Sequence, residues 1–264
     1  MLKTKDFFNL ANQNYFNPQN INYFRFSSGV KSFVYLVVIL ISLKMKILIV
    51  AATRQEMKPL LDKMEFHENI EANFIKCRIK HLEIDFLIAG IGMVATTYHT
   101  GKKLNNNNYN LALNIGICGS FNDKLELGAV VNIVQDHFSD LGAEDGNQYL
   151  SIKEMGLEGD IEMINNTHIK NNVLNLIPKV SGITVNTAHG NELSIKKVIQ
   201  KFNPNTESME GAAFMFVCEN EGVAYAQIRG VSNYMERRNK LAWEMKLAIN
   251  NLNIKILEIL NAFE

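Results

Sequence analysis

From Lys46 onward the chain alternates between apolar runs of strand length and stretches with helical spacing. Lys46 to Ala52 (KILIVAA) is continuously apolar, the pattern of a central strand covered by helices on both faces. Phe74 to Arg78 and Leu82 to Ala89 read as two strands joined by a short turn, and a helical stretch then runs to about Leu104. Leu111 to Ile115, Gly128 to Gln135 and Ser181 to Asn186 read as further strands, and Leu193 to Phe202 as a short helix. Glu207 to Asn233 combines an acidic residue at a helix mouth, a helix with Phe214, Val217 and Cys218 facing a core, and a stop at Gly222. A strand from Val223 to Ile228 follows, with Ser232-Asn233 just past its carboxyl end, where ligands bind in open α/β sheets. Arg238 to Ala262 reads as one long helix with Leu241, Met245, Ala248, Ile249 and Leu252 on one face. Residues 147–180 carry no strong pattern and read as a variable lid with short helices, and Asp136 to Gly146 as a polar loop. With no internal repeat and no Pro/Gly linker, residues 45–264 read as one α/β domain.

The first 44 residues differ. Residues 1–32 are rich in Asn, Phe and Lys without periodicity, and Phe33 to Leu43 is an apolar run of 11 residues. A membrane-spanning helix needs about 20. No small-x-small cleavage site follows the run. We expect this extension to be disordered or to precede the true start at Met45, and no membrane association for residues 45–264.

Composition narrows the function. The formal net charge is zero, which argues against nucleic acid, because neutralising phosphates needs a basic face. Cys77, Cys118 and Cys218 are far apart and show no metal-ligand spacing, so buried free thiols in a reducing compartment are expected, with no metal.

Several residues are candidates for chemistry. Gly211-Ala212-Ala213 follow Glu210 directly and allow close approach of a ligand or a neighbouring backbone. Thr53 and Glu56 stand at capping-box spacing, so Glu56 reads either as a helix cap or as a carboxylate at the end of the first strand. Gly90-Ile91-Gly92-Met93 lies between a strand and a helix, where backbone N–H groups can approach an anion or hydroxyls, although it lacks the dinucleotide and P-loop spacings. No arginine occurs between Arg78 and Arg229, which favours water over phosphate as a nucleophile. His137 reads as a loop histidine or a general acid, and Phe138 as a candidate stacking partner for an aromatic ligand.

The runs SMEGAAF, RGVSN and NKLAWEMKLAI resemble the nucleoside phosphorylase and nucleosidase superfamily, from about Met45 to the C-terminus. The resemblance implies a central mixed, twisted sheet flanked by helices and cleavage of an N-glycosidic bond in a small-molecule nucleoside. It also implies a cytoplasmic homo-oligomer with no metal or organic cofactor. The branch it resembles most hydrolyses a hypoxanthine nucleoside whose sugar bears a carboxyphenyl ketone. It assigns Glu56 to the attacking water, Glu210 to the ribose hydroxyls with Met209 against the sugar, and Asn233 to the base. Gly119, in a glycine-rich strand end, would give room for base and sugar, and Gly90 and Gly92 belong to a substrate-side loop that in the phosphorylase branch helps hold phosphate. His189 and Asn191 are base-side candidates, and Arg238 is the candidate for the tail carboxylate. Trp243 is expected in the core. Asn233 stands where adenine-specific relatives have Asp: an amide offers one donor and one acceptor, matching O6 and a protonated N7 of a 6-oxopurine. The alternatives left open are another purine nucleosidase, a phosphorylase, and a silent nucleoside-binding protein.

Overall fold

The computed structural model describes residues 45–64, 67–105, 108–146, 148–159 and 161–263. The expectations for residues 1–44 lie outside them.

The first strand, β1 (Lys46–Ala51), shows why its sequence is apolar throughout. Ile47, Ile49 and Ala51 enter one core cluster, while Leu48 and Val50 enter another on the opposite face. Side chains alternate along a strand, so both faces need apolar residues when both are covered. The first face is covered by α1 (Arg54–Leu61), through Met57 and Leu60, and by the C-terminal helix, through Leu252, Ile256 and Ile259. The second is covered by Leu104 of α2 (Met93–Asn105) and by Phe214, Met215 and Val217 of a helix described below.

β1 runs parallel to β4 (Leu82–Ile88) on one side and to β5 (Leu111–Ser120) on the other. Beyond β4 the sheet continues antiparallel through β3 (Phe74–Ile79) and β2 (His67–Glu71). Beyond β5 lie β12 (Tyr225–Tyr234), β6 (Val130–Phe138), β10 (Lys179–Thr184) and β11 (Thr206–Ser208). β9 (Glu162–Ile164) adds to β6, giving ten strands among the described residues. β11 also pairs back onto β5, so β5, β12, β6, β10 and β11 close into a ring. The fold is thus a mixed α/β sheet flanked by helices, as the sequence implied. A separate hairpin, β7 (Gly142–Asp145) and β8 (Gln148–Ser151), and the short α3 (Asn172–Asn175) fill the weakly patterned region. The two remaining helices on the ring side are α4 (Glu192–Phe202) and α5 (Gly211–Asn220). Gly222 follows α5 at φ +64°, the left-handed stop read from the sequence.

Several boundaries differ from the sequence reading. Gly116 to Ser120 continues β5 rather than ending it, and Asp136 to Phe138 completes β6 before the chain turns into β7. Ser232 and Asn233 lie inside β12, where the register against β5 shifts between Val231 and Asn233. The long C-terminal helix is broken. Asn239 caps a 3-10 turn at Lys240–Ala242, Trp243 is extended, and α6 (Met245–Asn261) starts only after Glu244 N–H donates to Ser232 O at 2.8 Å. Leu241 therefore faces solvent at 99% exposure, whereas Ala248 and Leu252 face the core. Among the described residues no helix is long and apolar enough to cross a membrane.

Candidate active site

A cavity of 580 Å³ opens where the ends of β1, β5, β11 and β12 meet, within the size range of small-ligand sites. Glu56, Gly119, His189, Met209, Glu210, Asn233 and Arg238 all line it.

Glu56 serves both readings at once. Its Oε2 accepts from the N–H and the hydroxyl of Thr53 at 2.9 Å each, closing the first turn of α1. Its Oε1 accepts from Ile117 N–H at 3.2 Å across the cavity wall. Burial raises the Glu56 pKa, Glu210 nearby raises it further, and Arg229 opposes both. A carboxyl poised above its ordinary range suits a general base near neutrality.

Glu210 stands at the N-cap of α5, where a carboxylate meets the positive end of the helix. Its Oε1 accepts Gly92 N–H at 3.0 Å, so the glycine turn between β4 and α2 reaches the site through this bond. Gly92 has φ +90° and Gly90 φ +92°, a path that β-branched or bulky residues cannot follow cheaply. The side chain of this turn that lines the cavity is Ile91; Gly90 stands behind it, its N–H bonded to Ala52 O.

Under both carboxylates lies Arg229, the largest fully buried side chain in the described residues. Its Nη1 is 3.7 Å from Glu210 Oε2. Its Nε donates to Gln227 Oε1 at 3.2 Å, and its Nη2 to Asn114 Oδ1. Register explains how it fits. Arg229 lies directly beside Gly116 of β5, and a Cβ on that glycine would fall 2.3 Å from Nη1 and 2.8 Å from Glu56 Oε1. The network continues to Asp136, whose Oδ2 accepts from Gln227 Nε2 at 2.9 Å and whose Oδ1 accepts from Thr184 Oγ1 at 3.0 Å. Burial pushes the Asp136 carboxyl up to about 6. In the sequence Arg229 serves only to bound an arginine-free stretch. A signal was present there all the same: a cation inside a buried apolar strand needs buried partners.

At the far wall, Ser232 Oγ donates to Asn233 Oδ1 at 2.8 Å, which orients the amide. Gly119 stands beside it, since a Cβ there would come 3.1 Å from Asn233 Nδ2. Glu207 of β11 accepts His189 N–H at 2.9 Å and pairs with the ring Nδ1. Asn191 is committed elsewhere, capping α4 through Leu193 and Ser194. Arg238 sits 5.3 Å from the centre of the Trp243 ring, and Trp243 lines the cavity instead of entering the core. The break before α6 leaves it there. Phe138 does not line the cavity; it packs against the cluster containing Phe214 and Met163. His137 belongs to β6 rather than a loop, near Glu162 and against the ring of Phe202. Cys77, Cys118 and Cys218 are buried free thiols. Among the described residues no cluster of three or more His, Cys, Asp or Glu is placed to hold a metal.

A mixed sheet with a closed ring at one end, and two carboxylates meeting at the strand ends, defines the class. The chain belongs to the Phosphorylase superfamily, whose model matches residues 46–263. Among curated proteins it is similar to the futalosine hydrolase of Acidothermus cellulolyticus, 27% identical over 64% of this chain and 71% of that one. The futalosine hydrolase of Thermus thermophilus is 25% identical over 63% and 76%. Among solved structures, the futalosine hydrolase of Helicobacter pylori matches with TM-score 0.71 at 19% identity, covering 82% of this chain and 97% of that one. A methylthioadenosine/adenosylhomocysteine nucleosidase of Colwellia psychrerythraea in complex with adenine matches with TM-score 0.70 at 19% identity, covering 83% and 95%.

Proposed function

We propose that the chain is an N-glycosyl hydrolase that cleaves futalosine into hypoxanthine and dehypoxanthine futalosine. In the branch the sequence resembles, this reaction belongs to menaquinone biosynthesis. The observation that carries the reading is one cavity with Glu56 and Glu210 over a shared buried arginine and an oriented amide, Asn233, on another wall. The names of the curated relatives point the same way.

Water attacks C1′ of the sugar while Glu56 takes its proton, so the hydroxyl ends on C1′. The C1′–N9 bond breaks as N7 takes a proton from solvent, so its electron pair leaves with a neutral purine bearing N1–H and N7–H, and Glu56 returns the proton taken from water to solvent. Glu210 holds the ribose hydroxyls, and its charge favours the positive charge that develops on the ring. Met209 packs against the sugar. Asn233 keeps a lone pair on Oδ1 and an Nδ2 proton for N7–H and O6 of a 6-oxopurine. Arg238, backed by Trp243, takes the tail carboxylate.

Hydrolysis is favoured over phosphorolysis by the charge of the wall. Glu56, Glu207, Glu210 and Glu236 line the cavity against one Lys or Arg side chain, Arg238. A phosphate dianion entering beside Glu56 and Glu210 meets like charge. The protein is proposed to act in the cytoplasm as a homo-oligomer. Ile91, Val94 and Tyr98 are 63%, 83% and 62% exposed around the start of α2 and suit a subunit contact.

Incubation with futalosine, inosine and methylthioadenosine, with and without phosphate, tests the reading. Hypoxanthine released from futalosine independently of phosphate is expected. Phosphate-dependent release from inosine, or adenine from methylthioadenosine, would refute it.

A further inference from the structure

Glu207 has no role in the mechanism above, yet it is a buried carboxylate in the cavity wall, its side chain 3% exposed. β11 sets it beside Gly119, and Gly119 neighbours Asn233, so it belongs to the base side of the cavity. Both its oxygens serve one residue. Oε1 accepts the backbone N–H of His189 at 2.9 Å, and Oε2 meets Nδ1 of the same ring. A carboxylate only accepts, so the hydrogen of this contact sits on Nδ1. In the Nδ1–H tautomer the ring presents a bare lone pair at Nε2. That atom has no hydrogen-bonding partner among the described residues, and the side chain is 19% exposed where it lines the cavity.

We propose that Glu207 is a positioning residue that holds His189 in the Nδ1–H tautomer, so that Nε2 accepts the N1–H of a 6-oxopurine. Hypoxanthine carries a hydrogen on N1, whereas adenine has a lone pair there. An acceptor at this point welcomes the first base and opposes the second. Asn233 would read N7 and O6, and the Glu207–His189 pair the adjoining edge. Two residues from separate elements would then enforce the same choice of base. The inference rests on the reading that the cavity takes a 6-oxopurine.

The pair makes an unusual prediction for Glu207→Gln. The backbone N–H of His189 requires an acceptor, so the Gln oxygen takes the place of Oε1 and its NH2 faces Nδ1. That amide donates, so the ring hydrogen moves to Nε2 and the cavity gains a donor where it had an acceptor. The substitution is nearly isosteric, yet it inverts what the purine meets.

Calorimetric binding of hypoxanthine, 1-methylhypoxanthine and adenine to the full chain tests this, with thermal midpoints recorded for each variant. The wild type is expected to prefer hypoxanthine over both other bases by at least about tenfold, the cost of an unmatched buried hydrogen bond. Glu207→Gln should narrow or reverse the hypoxanthine–adenine ratio, and His189→Phe should erase the contribution of N1–H while leaving a ring to stack. The double variant should discriminate no less than His189→Phe alone, because Glu207 acts only through the histidine. A ratio unchanged in both single variants would overturn the dyad while leaving the hydrolase reading intact. A wild type that binds no base and does not cleave futalosine would overturn both. If the Glu207→Gln chain fails to fold, His189→Phe decides alone, and an unchanged ratio there overturns the dyad.

Discussion

Arg229 and Glu210 face each other at 3.7 Å inside the sheet, with side chains 1% and 7% exposed. The guanidinium is held from its other edges by Asn114 and Gln227, so it cannot swing out to solvent. Buried charge of this kind is costly to leave unpaired. Arg229→Met is expected to destabilise the fold by about 3–5 kcal/mol, since Glu210 and Glu56 lose their shared cation. Arg229→Lys should recover little, because one ammonium cannot meet three separate partners in a fixed fork. Chemical denaturation of both variants measures this.

Glu56→Gln tests the proposed general base apart from the helix cap. A glutamine at this position can still complete the capping box through its oxygen, but its NH2 then faces the Ile117 N–H that Oε1 accepted, so stability should fall by about 1–3 kcal/mol. It cannot take a proton from water, so base release should fall roughly 10²–10⁴-fold. A variant that kept its rate would remove Glu56 from the mechanism.

The acid limb of the rate profile should report Glu56. In the proposed mechanism the carboxylate is the active form, and its pKa is raised above 4.5 by burial and by Glu210. Activity should therefore be lost as pH falls through a value above the ordinary Glu range. The residual activity of Glu210→Gln should show that limb moved to lower pH. In Arg229→Met it should move higher, because the guanidinium lowers this pKa.

Asp136 makes stability pH-dependent in the opposite sense to a salt-bridged carboxylate. Its pKa is raised from 3.8 to about 6, so between these values the folded chain binds more protons than the unfolded chain. Stability should fall as pH rises across that window, by up to about 3 kcal/mol from this group alone. Denaturation midpoints of the wild type and Asp136→Asn at several pH values check it. The wild type should carry the steeper slope, because Asp136→Asn removes this group's share, whatever the absolute stability of the variant.

Asn233→Asp should shift the preference toward a 6-amino base. An ionised carboxylate offers only acceptors, and Ser232 Oγ can still donate to it. The ratio of hypoxanthine to adenine release should drop by roughly tenfold or more. Competition assays with paired nucleosides measure it.

Much of this molecule is legible along the chain. The doubly apolar run of β1, the capping box at Thr53 and Glu56 and the glycine stop of α5 all depend on neighbours within a few residues. Local periodicity and turn chemistry therefore revealed them. Boundaries were less readable where a strand carries glycine or polar residues for the sake of the cavity. Gly116 to Ser120 looks like a loop alone, but β12 and β11 supply its hydrogen bonds from far along the chain. The same holds for the break before α6, which periodicity could not show because Leu241 continues the helical spacing.

Short runs along the chain were enough to encode the fold class, the superfamily and the positions of Glu56, Glu210 and Asn233. Folding in three dimensions was needed to bring Arg229 under both carboxylates, to set Glu207 against His189, and to turn Phe138 away from the cavity while Trp243 faces it. Those relationships are set by the register between strands distant in sequence. No pattern within one segment records which residue a neighbouring strand will bring beside it.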